Sequence, residues 1–276
     1  MDLSKIYPPR PEWVHKGNYG SVLVVCGSKL YSGAATLAAV AALRSGADLV
    51  TVCAPQRAAD IAAQILPDLM TFPLKGDSLL PRHVADVMDL AHVRRINSVV
   101  LGCGLGRMTQ TFSAIYKLIA KFTVPMVLDA DALRAIAQRP DVLSKKHVVL
   151  TPHLGELGVL LGTKVDDEFE ARLAAAKQAA AKYKAVVLLK GHVDIVTDGS
   201  STITNNSGSP YMTKGGFGDT LAGVLGALLA KGIGLFEASH AAAYINGRAG
   251  ELAAEAKKEG VVASDIFEYI PRVVHS

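Results

Sequence analysis

A glycine-rich turn that ends in an aspartate is the feature of this chain with the clearest chemical meaning. Residues 213–223 read TKGGFGDTLAG and lead directly into an apolar, helix-forming stretch. The unpaired N–H groups at the start of a helix, together with the helix dipole, favour a bound anion. Gly216 and Gly218 allow the backbone to approach closely, and Asp219 can accept a proton from an attacking hydroxyl. The turn therefore predicts phosphoryl transfer, although a glycine loop with Asp219 as an ordinary N-cap would have the same residues.

Two more candidate segments follow apolar runs that are typical of buried strands. Residues 151–157 read TPHLGEL, so His153 and Glu156 share one face of a helix that starts here. The Glu156 carboxylate could hold Mg²⁺ directly or through water, but the same pattern is typical of helix capping. Residues 188–194 read LLKGHVD and place Lys190 where it either neutralises a phosphate or is simply solvated.

A second glycine loop lies at residues 101–107, which read LGCGLGR. It lacks the third glycine of a dinucleotide-binding G-x-G-x-x-G motif, so a Rossmann dehydrogenase is a distant alternative. We expect this loop to line a cleft together with the other candidates. The HKGNYG segment at residues 15–20 either folds over that cleft or is a polar loop.

The elements that position these residues alternate between strand and helix from residue 21 to about residue 190. We predict strands at 21–27, 48–55, 96–102, 125–131, 147–153, 185–191 and 194–199, the last two as a hairpin. We predict helices at 32–47, 109–122 and 167–184, two Ala-rich helices after the glycine turn, and a short last helix capped by Ser264. This alternation is typical of a parallel sheet with helices on both faces, and ligands bind such sheets at the carboxyl ends of the strands. That edge would carry Asp129, Asp131, His153 and Lys190.

The composition argues against several classes of protein. A net charge of +4 over 276 residues is too mild to indicate nucleic-acid binding. No uninterrupted apolar run reaches the roughly 18 residues that a membrane span needs. Cys26, Cys53 and Cys103 are far apart and odd in number, which fits a reducing cytoplasm better than a disulfide framework. Half of the residues are hydrophobic and no linker is evident, so we expect a single domain over residues 1–276.

Taken in order, the motifs resemble those of the ADP/ATP-dependent NAD(P)HX dehydratases, the carbohydrate-kinase-like branch of the YjeF family. They are HKGNYG, LGCGLGR, LDADAL, LTPHLGEL, LLKGHVDIV and GGFGDTLAG, and the resemblance runs from about residue 13 to the end. It implies a ribokinase-like three-layer α/β/α fold with a mostly parallel central sheet. It also implies a repair reaction on hydrated NADH or NADPH (NADHX or NADPHX). ADP or ATP would phosphorylate the 6-hydroxyl of the damaged ring, and elimination of phosphate would restore the dinucleotide.

The same resemblance assigns roles by position. Asp219 would be the base that activates the hydroxyl, and Glu156 would correspond to a carboxylate that holds Mg²⁺ through water. The implied anion hole consists of Gly216, Phe217 and Gly218. The implied substrate-binding residues are Gly33, Ala34, Gly104, Gly106, His153 and Asp219. The implied nucleotide-binding residues are Lys190, Gly191, His192, Val193, Asp194 and Gly218.

The chain departs from the family pattern at three positions near these residues. Phe217 replaces a usual threonine or serine, so a hydroxyl that could contact phosphate is missing, although backbone amides remain. Cys103 replaces a usual proline in the glycine loop. Lys214 is additional and either contacts a phosphate or is solvated. The epimerase domain that is often fused upstream is not expected, so an epimerase partner would be a separate protein.

Two other functions are compatible with the same residues. A small-alcohol kinase of this fold, acting on a vitamin precursor, would use the same Asp219 and the same anion hole. Phe217 favours a non-catalytic nucleotide-binding protein, but binding alone does not require a base at Asp219. Members of the family often form tetramers, so we expect a homo-oligomer. Bacterial and archaeal members tend to use ADP, whereas the choice between NADHX and NADPHX stays open.

Overall fold

One sheet of nine strands forms the centre of the molecule within residues 1–275, which the computed structural model describes. The strands are β1 Ser21–Val25, β2 Leu49–Pro55, β3 Met70–Leu74, β4 Ser98–Leu101, β5 Met126–Leu128, β6 Val148–Leu150, β7 Val186–Leu189, β8 Asp194–Thr197 and β9 Thr202–Asn205. Their order across the sheet is β3-β2-β1-β4-β5-β6-β7-β8-β9. Strands β1 to β7 pair in parallel, whereas the β7–β8 and β8–β9 pairs are antiparallel. The predicted mostly parallel sheet with a terminal hairpin is confirmed.

Helices cover both faces of this sheet. They are α1 Ala34–Arg44, α2 Gln56–Ile65, α3 Val84–Val93, α4 Thr109–Lys121, α5 Asp131–Gln138, α6 Leu154–Leu161, α7 Phe169–Tyr183, α8 Phe217–Ala230, α9 Leu235–Lys257 and α10 Ile270–Val274. Val22 and Val24 of β1 pack with α1, α2 and α8–α10, whereas Leu23 and Val25 pack with α3–α7. Because both faces are buried, the strand is a continuous apolar run rather than an alternating one. The three-layer α/β/α architecture is confirmed.

Helix α8 is packed inside its layer rather than on the surface. Twelve of its fourteen residues are buried. A Cβ at Gly223 would lie 2.0 Å from the carbonyl oxygen of Ala38, so α1 and α8 approach more closely than any side chain at that position would allow. This contact fixes the position of α8, and with it the glycine turn that leads into its first residue, Phe217.

Several predicted features differ from the structure. The N–H groups of Gly17 and Tyr19 donate to Asp48, which precedes β2, so residues 15–20 lie at the amino edge of the sheet and do not cover the carboxyl edge. Residues 263–268 form a 3₁₀ helix whose N-cap is Val262 rather than Ser264, and α10 follows it. The prediction omitted β3, β9, α2 and α3. Within residues 1–275, no helix has the length and apolar character that a bilayer crossing requires.

Two of the predicted strands end three residues too late at the edge that matters for function. The strand predicted at 125–131 ends at Leu128, and the strand predicted at 147–153 ends at Leu150. The polar residues that follow these strands are therefore in loops. Loops can place side chains into a cleft, whereas a continuing strand would alternate them between the two helical layers.

Candidate active site

Polar side chains from four neighbouring strands and from α8 converge at the carboxyl edge of the sheet. They are Cys103 after β4, Asp129 after β5, Thr151 after β6, Lys190 after β7, and Asp219 in the first turn of α8. Parallel strands present their carboxyl ends at one edge, so residues distant in the sequence meet there. The expected convergence applies to Asp129 and Lys190. Asp131 instead accepts a hydrogen bond from the N–H of Gly106 at 2.8 Å and supports the glycine loop.

The carboxylate of Asp129 is the centre of a buried hydrogen-bond network. Its Oδ1 accepts hydrogen bonds from the Thr151 hydroxyl and from the Lys190 ammonium, each at 2.8 Å. Its Oδ2 accepts a hydrogen bond from the Cys103 thiol at 3.6 Å. Only 2% of Asp129 is exposed, and Lys190 supplies the counter-charge that such burial requires. The network therefore fixes a negative charge beside Asp219.

Asp219 is a carboxyl group suited to exchange a proton near neutral pH. Burial raises its pKa to about 7, and the negative charge of Asp129 acts in the same direction. The nearby Cys103 thiol and the positive charge of Lys190 oppose this rise. A pKa near the working pH is the property that a general base needs. Asp219 is not the N-cap of α8, because that position belongs to Gly216.

The start of α8 forms a positively polarised pocket beside this carboxyl. Gly216 has φ +104°, and a Cβ there would lie 2.7 Å from Leu37 and 2.8 Å from Ala263, so only glycine fits. Among the described residues, nothing accepts a hydrogen bond from the N–H groups of Phe217 and Gly218. A Cβ at Gly218 would lie 3.2 Å from Lys190 Nζ. The free amides and the ammonium thus face the same small space, which suits a phosphoryl group.

The side chain of Phe217 belongs to the hydrophobic core rather than to the chemistry of this pocket. It is 6% exposed and packs in the cluster that contains α1 and α9. Its carbonyl oxygen accepts hydrogen bonds from the Thr220 hydroxyl at 2.9 Å and the Asn246 amide at 3.4 Å. These bonds hold the first turn of α8 in place, so the departure at Phe217 leaves the backbone donors intact.

A cavity of about 880 Å³ opens beside this turn and takes in most of the residues predicted to bind the nucleotide. Its lining includes Lys190, Gly191, His192, Asp194, Gly218 and Asp219. Val193 is not in the lining, but its carbonyl accepts a hydrogen bond from buried Arg172 at 2.8 Å. Asp194 closes the turn by accepting hydrogen bonds from the Gly191 N–H at 2.9 Å and the Asn205 amide at 3.0 Å. Arg172, Asn205 and Thr151 were not among the predicted site residues, since nothing in their local sequence distinguishes them.

Four of the predicted substrate-binding residues lie outside the lining of this cavity. They are Gly33, Ala34, Gly104 and Gly106. They form a neighbouring region, because a Cβ at Gly104 would lie 2.6 Å from Tyr31 and 3.0 Å from Ala34. Cys103, next to Gly104, reaches Asp129, so this region adjoins the two carboxylates from the other side.

His153 and Glu156 form a reciprocal cap at the start of α6. His153 Nδ1 accepts hydrogen bonds from the N–H groups of Gly155 and Glu156, and Glu156 Oε2 accepts one from the His153 N–H at 3.0 Å. Both residues also line the cavity, and Glu156 Oε2 lies 4.0 Å from Lys190 Nζ. One carboxylate with a neighbouring lysine fits Mg²⁺ that keeps several waters and binds phosphate, rather than a site built from protein ligands alone.

Lys214 has a structural partner instead of a free ammonium. Its Nζ donates to the carbonyl oxygen of Val261 at 2.8 Å and also to that of Glu259. Lys214 is exposed and lines the cavity, so both predicted roles, phosphate contact and a solvated side chain, stay predictions. The lysine ties the glycine turn to the segment that follows α9.

Comparisons with known proteins show the family to which the chain belongs. A family model described as NAD(P)H-hydrate dehydratase matches residues 22–272. The bifunctional NAD(P)H-hydrate repair enzyme of Hyperthermus butylicus is 40% identical over 282 residues, covering 100% of this chain and 52% of that protein. The ADP-dependent (S)-NAD(P)H-hydrate dehydratase of Cenarchaeum symbiosum is 35% identical over 274 residues, covering 99% of this chain and 94% of that protein. The chain spans about half the length of the bifunctional curated relatives that it matches.

A solved structure extends the similarity to three dimensions. It is that of the ADP/ATP-dependent NAD(P)H-hydrate dehydratase from Bacillus subtilis, co-crystallised with ATP and Mg²⁺. The two chains are 27% identical and superpose with a TM-score of 0.84. The alignment covers 98% of this chain and 94% of the Bacillus subtilis chain.

Proposed function

The chain belongs to the NAD(P)H-hydrate dehydratase family, and we propose that it converts NADHX or NADPHX to NADH or NADPH with ADP or ATP as the phosphate donor. Hydroxide is a poor leaving group and phosphate is a good one, so a kinase-like fold can carry out a dehydration. The observation that carries the proposal is the position of Asp219, a carboxyl with a pKa of about 7, beside the free amides of α8.

In the first step, the oxygen of the 6-hydroxyl attacks the terminal phosphorus of the nucleotide. Asp219 accepts the hydroxyl proton while the new O–P bond forms and the bond to the remaining nucleotide breaks. A positioned base of this kind contributes about 10²–10⁴-fold to the rate. The N–H groups of Phe217 and Gly218, together with Lys190, would stabilise the charge on the phosphoryl oxygens.

Mg²⁺, when bound, would supply positive charge to the phosphates. Glu156 would hold it through water, because one of its oxygens already caps α6 and its neighbour is the Lys190 ammonium. Lys190 itself is suited to bind phosphate. Burial alone would lower its pKa, but the carboxylates of Asp129 and Glu156 raise it, so the side chain stays charged.

In the second step, phosphate leaves the ring with the electrons of the C–O bond. Loss of a proton from the neighbouring ring carbon then restores the double bond. The net reaction takes the elements of water from the ring: the hydroxyl oxygen leaves within the phosphate, the hydroxyl proton passes to Asp219, and the proton of the ring carbon passes to solvent. A single site can support both steps because the phosphate stays within reach of the same amides and lysine.

We propose that the nucleotide and the damaged dinucleotide approach Asp219 from opposite sides. The nucleotide would lie in the cavity of about 880 Å³ against Lys190, Gly191, His192, Val193 and Asp194. The substrate would enter through the region of Gly33, Ala34, Gly104 and Gly106, with His153 at the boundary. The contact of Tyr31 and Ala34 with Gly104 supports this second region.

The decisive experiment follows the absorbance of reduced nicotinamide. Purified protein is mixed with NADHX or NADPHX, Mg²⁺ and either ADP or ATP. We expect recovery of the absorbance band only when a nucleotide is present, and the more effective nucleotide is the phosphate donor. Asp219→Asn is the matched variant: it should bind nucleotide nearly normally and lose most of its turnover.

Other outcomes would change the proposal. If the native chain binds ADP or ATP but restores no absorbance, a small-alcohol kinase becomes the better assignment. If Asp219→Asn retains full turnover, Asp219 is not the base. If the protein binds nucleotide and transfers no phosphate to any alcohol, a non-catalytic nucleotide-binding protein is favoured.

We propose that the protein is a single domain, forms a homo-oligomer and is located in the cytoplasm. The nine strands described in residues 1–275 form one sheet, and this supports a single domain. The Ala-rich helix α8 is buried within the chain itself, so it needs no partner to cover it, and the proposed tetramer depends on the family resemblance. Light scattering on the purified protein tests it. The three buried free cysteines are compatible with the proposed cytoplasmic location.

A further inference from the structure

Cys103 lies between the two carboxylates of the candidate site. We propose that its thiol is a positioning residue, a hydrogen-bond donor shared by Asp129 and Asp219 that orients Asp219 toward the substrate hydroxyl. The inference rests on the proposed function for its catalytic consequence. The placement of the thiol itself follows from the fold alone.

Close backbone contacts on both sides of Cys103 hold its loop and thereby restrict the position of the thiol. A Cβ at Gly102 would lie 2.0 Å from the carbonyl oxygen of Asp129, so the loop passes directly against the end of β5. The N–H of Gly27 donates to the carbonyl oxygen of Cys103 at 2.7 Å and ties the loop to the end of β1. Cys103 is fully buried. Its side chain therefore cannot move into solvent without opening the loop.

The sulfur contacts the carboxylate of Asp129 and lies close to that of Asp219. The Cys103 Sγ lies 3.6 Å from Asp129 Oδ2. This sulfur, one oxygen of Asp129 and one oxygen of Asp219 all lie within 4.8 Å of one another. Because Lys190 and Thr151 bind the other oxygen of Asp129, Cys103 is the donor available on the side that faces Asp219.

The thiol keeps its proton and so acts as a donor in this position. The neighbouring thiol of Cys26, burial, and the negative charges of Asp219 and Asp129 all raise the pKa of Cys103 well above its ordinary value. A thiolate would add a third negative charge to the pair of carboxylates. Neutral Cys103 is therefore neither a nucleophile nor a redox centre at neutral pH.

The hydrogen bond has a consequence for the acidity of Asp219. A donor to the ionised form of a carboxyl group lowers its pKa, whereas burial and Asp129 raise that of Asp219. Removing the thiol should therefore raise the pKa of Asp219 further and protonate the base at neutral pH. The ionisable groups around Asp219 and its partners are Cys26, Cys103, Asp129, Glu156 and Lys190.

The first arm of the test does not need turnover. The carboxyl of Asp219 is titrated by ¹³C NMR in the native chain and in Cys103→Ala, with the signal assigned by its loss in Asp219→Asn. We expect the midpoint in Cys103→Ala to rise by about 0.5 to 1 pH unit, which is less than an ordinary hydrogen bond to a charged group would give, because a thiol is a weak donor. Cys103→Ser, which keeps a donor, should restore most of the native value. Cys53→Ala is the matched control, because Cys53 is an equally buried thiol in β2 on the other face of the sheet.

The second arm measures kcat/KM for the nucleotide-dependent dehydration against pH. In Cys103→Ala the acidic limb should move to higher pH, with about a threefold to tenfold loss at pH 6 and native rates at pH 9. Cys103→Ser should recover the native limb. If the native chain has no turnover at all, the proposed function fails, while the NMR arm still decides the role of the thiol. An unchanged NMR midpoint of Asp219 in Cys103→Ala, or an equal shift of that midpoint in Cys53→Ala, overturns the inference. If Cys103→Ala does not fold, the midpoint in Cys103→Ser decides instead. A native midpoint in Cys103→Ser supports the inference, and a raised midpoint refutes it.

Discussion

Asp219 combines a functional requirement with a cost in stability. Its folded pKa of about 7 lies above the value of 3.8 for an ordinary aspartate, because burial and Asp129 disfavour the charged form. The unfolded chain therefore loses this proton at lower pH than the folded chain does. The contribution of Asp219 to stability is complete below about pH 4 and is lost as the pH rises through 7.

We predict that Asp219→Asn is more stable than the native chain at pH 8, because an amide carries no charge to bury. The gap in the free energy of unfolding should reach up to about 4 kcal/mol at pH 8 and should vanish near pH 4. Urea denaturation at both pH values measures it. Asp89→Asn, at an exposed position, is the control and should show no such gap. Equal stability of Asp219→Asn and the native chain at pH 8 would contradict the burial of this carboxylate.

Lys190 carries a prediction about binding. We expect Lys190→Met to bind ADP at least tenfold more weakly, since a hydrogen bond to a charged group is worth about 1.5–3 kcal/mol. The variant should also be less stable, because buried Asp129 loses its counter-charge. Isothermal titration calorimetry measures the affinity. Lys214→Met is the control: that lysine lines the same cavity, but its ammonium binds carbonyl groups, so ADP affinity should stay near native.

The sequence was informative about single residues where they belong to a motif. Asp219, Lys190 and Glu156 could be singled out because they sit at the end of an apolar run or beside glycines. Thr151 and Arg172 could not, since their roles depend on partners 22 and 21 residues away in the chain, Asp129 and Val193. The partnership of Cys103 with both carboxylates was equally hidden. A buried thiol is most often apolar packing, and its sequence neighbours say nothing about what lies across the strand ends.

The close contact between α1 and α8 makes a prediction about whole elements. Gly223→Ala should cost about 1–3 kcal/mol of stability, because the added methyl meets the Ala38 carbonyl and forces the two helices apart. It should also lower turnover, since the start of α8 carries both the amides and Asp219. Urea unfolding and the absorbance assay measure the two effects. Gly234→Ala, where no atom lies within 4 Å of the added Cβ, should leave both nearly unchanged, and a native-like Gly223→Ala would refute the tight contact.

The elements that the sequence did not predict are those with the weakest local signal. Strand β3 contains Pro73 and lies at one edge of the sheet, where a missing N–H is tolerated. Strand β9 is short, polar and largely exposed at the other edge. The interior strands were predicted because burial on both faces requires continuous apolar runs. The ends of most of them were placed too late, since an apolar run does not show where hydrogen bonding to the neighbouring strand stops.

At the scale of the whole molecule, the cavity joins parts of the chain that are far apart. Its walls come from the loops after β5 and β7, from the start of α8, and from Asn246 and Gly247 in α9. We predict that ADP with Mg²⁺ at about a hundredfold over its Kd raises the Tm by about 5–10 °C, since binding of that strength adds about 2.7 kcal/mol. Differential scanning fluorimetry measures the shift. Lys190→Met should show a smaller shift at the same concentration, and no shift in the native chain would mean that the cavity does not bind nucleotide.

The direction of a parallel strand determines the edge of the sheet at which each neighbouring loop lies. Residues 15–20 immediately precede β1, so they must lie at the amino edge, away from the carboxyl ends where ligands bind. The order of the strands across the sheet, by contrast, cannot be predicted from any local sequence pattern. It depends on which of many apolar strands pair, and that is decided by the packing of all the helices together.

The three buried cysteines offer a way to watch the native protein open. Cys26 and Cys103 lie in the hydrophobic layer that contains α8, whereas Cys53 lies in the opposite layer, and none is exposed. A thiol reagent can therefore modify them only when the surrounding structure transiently unfolds. If nucleotide slows the modification of Cys103 but not that of Cys53, the two helical layers unfold locally and independently of each other. The protein then loosens around its catalytic edge while the far side of the sheet stays closed.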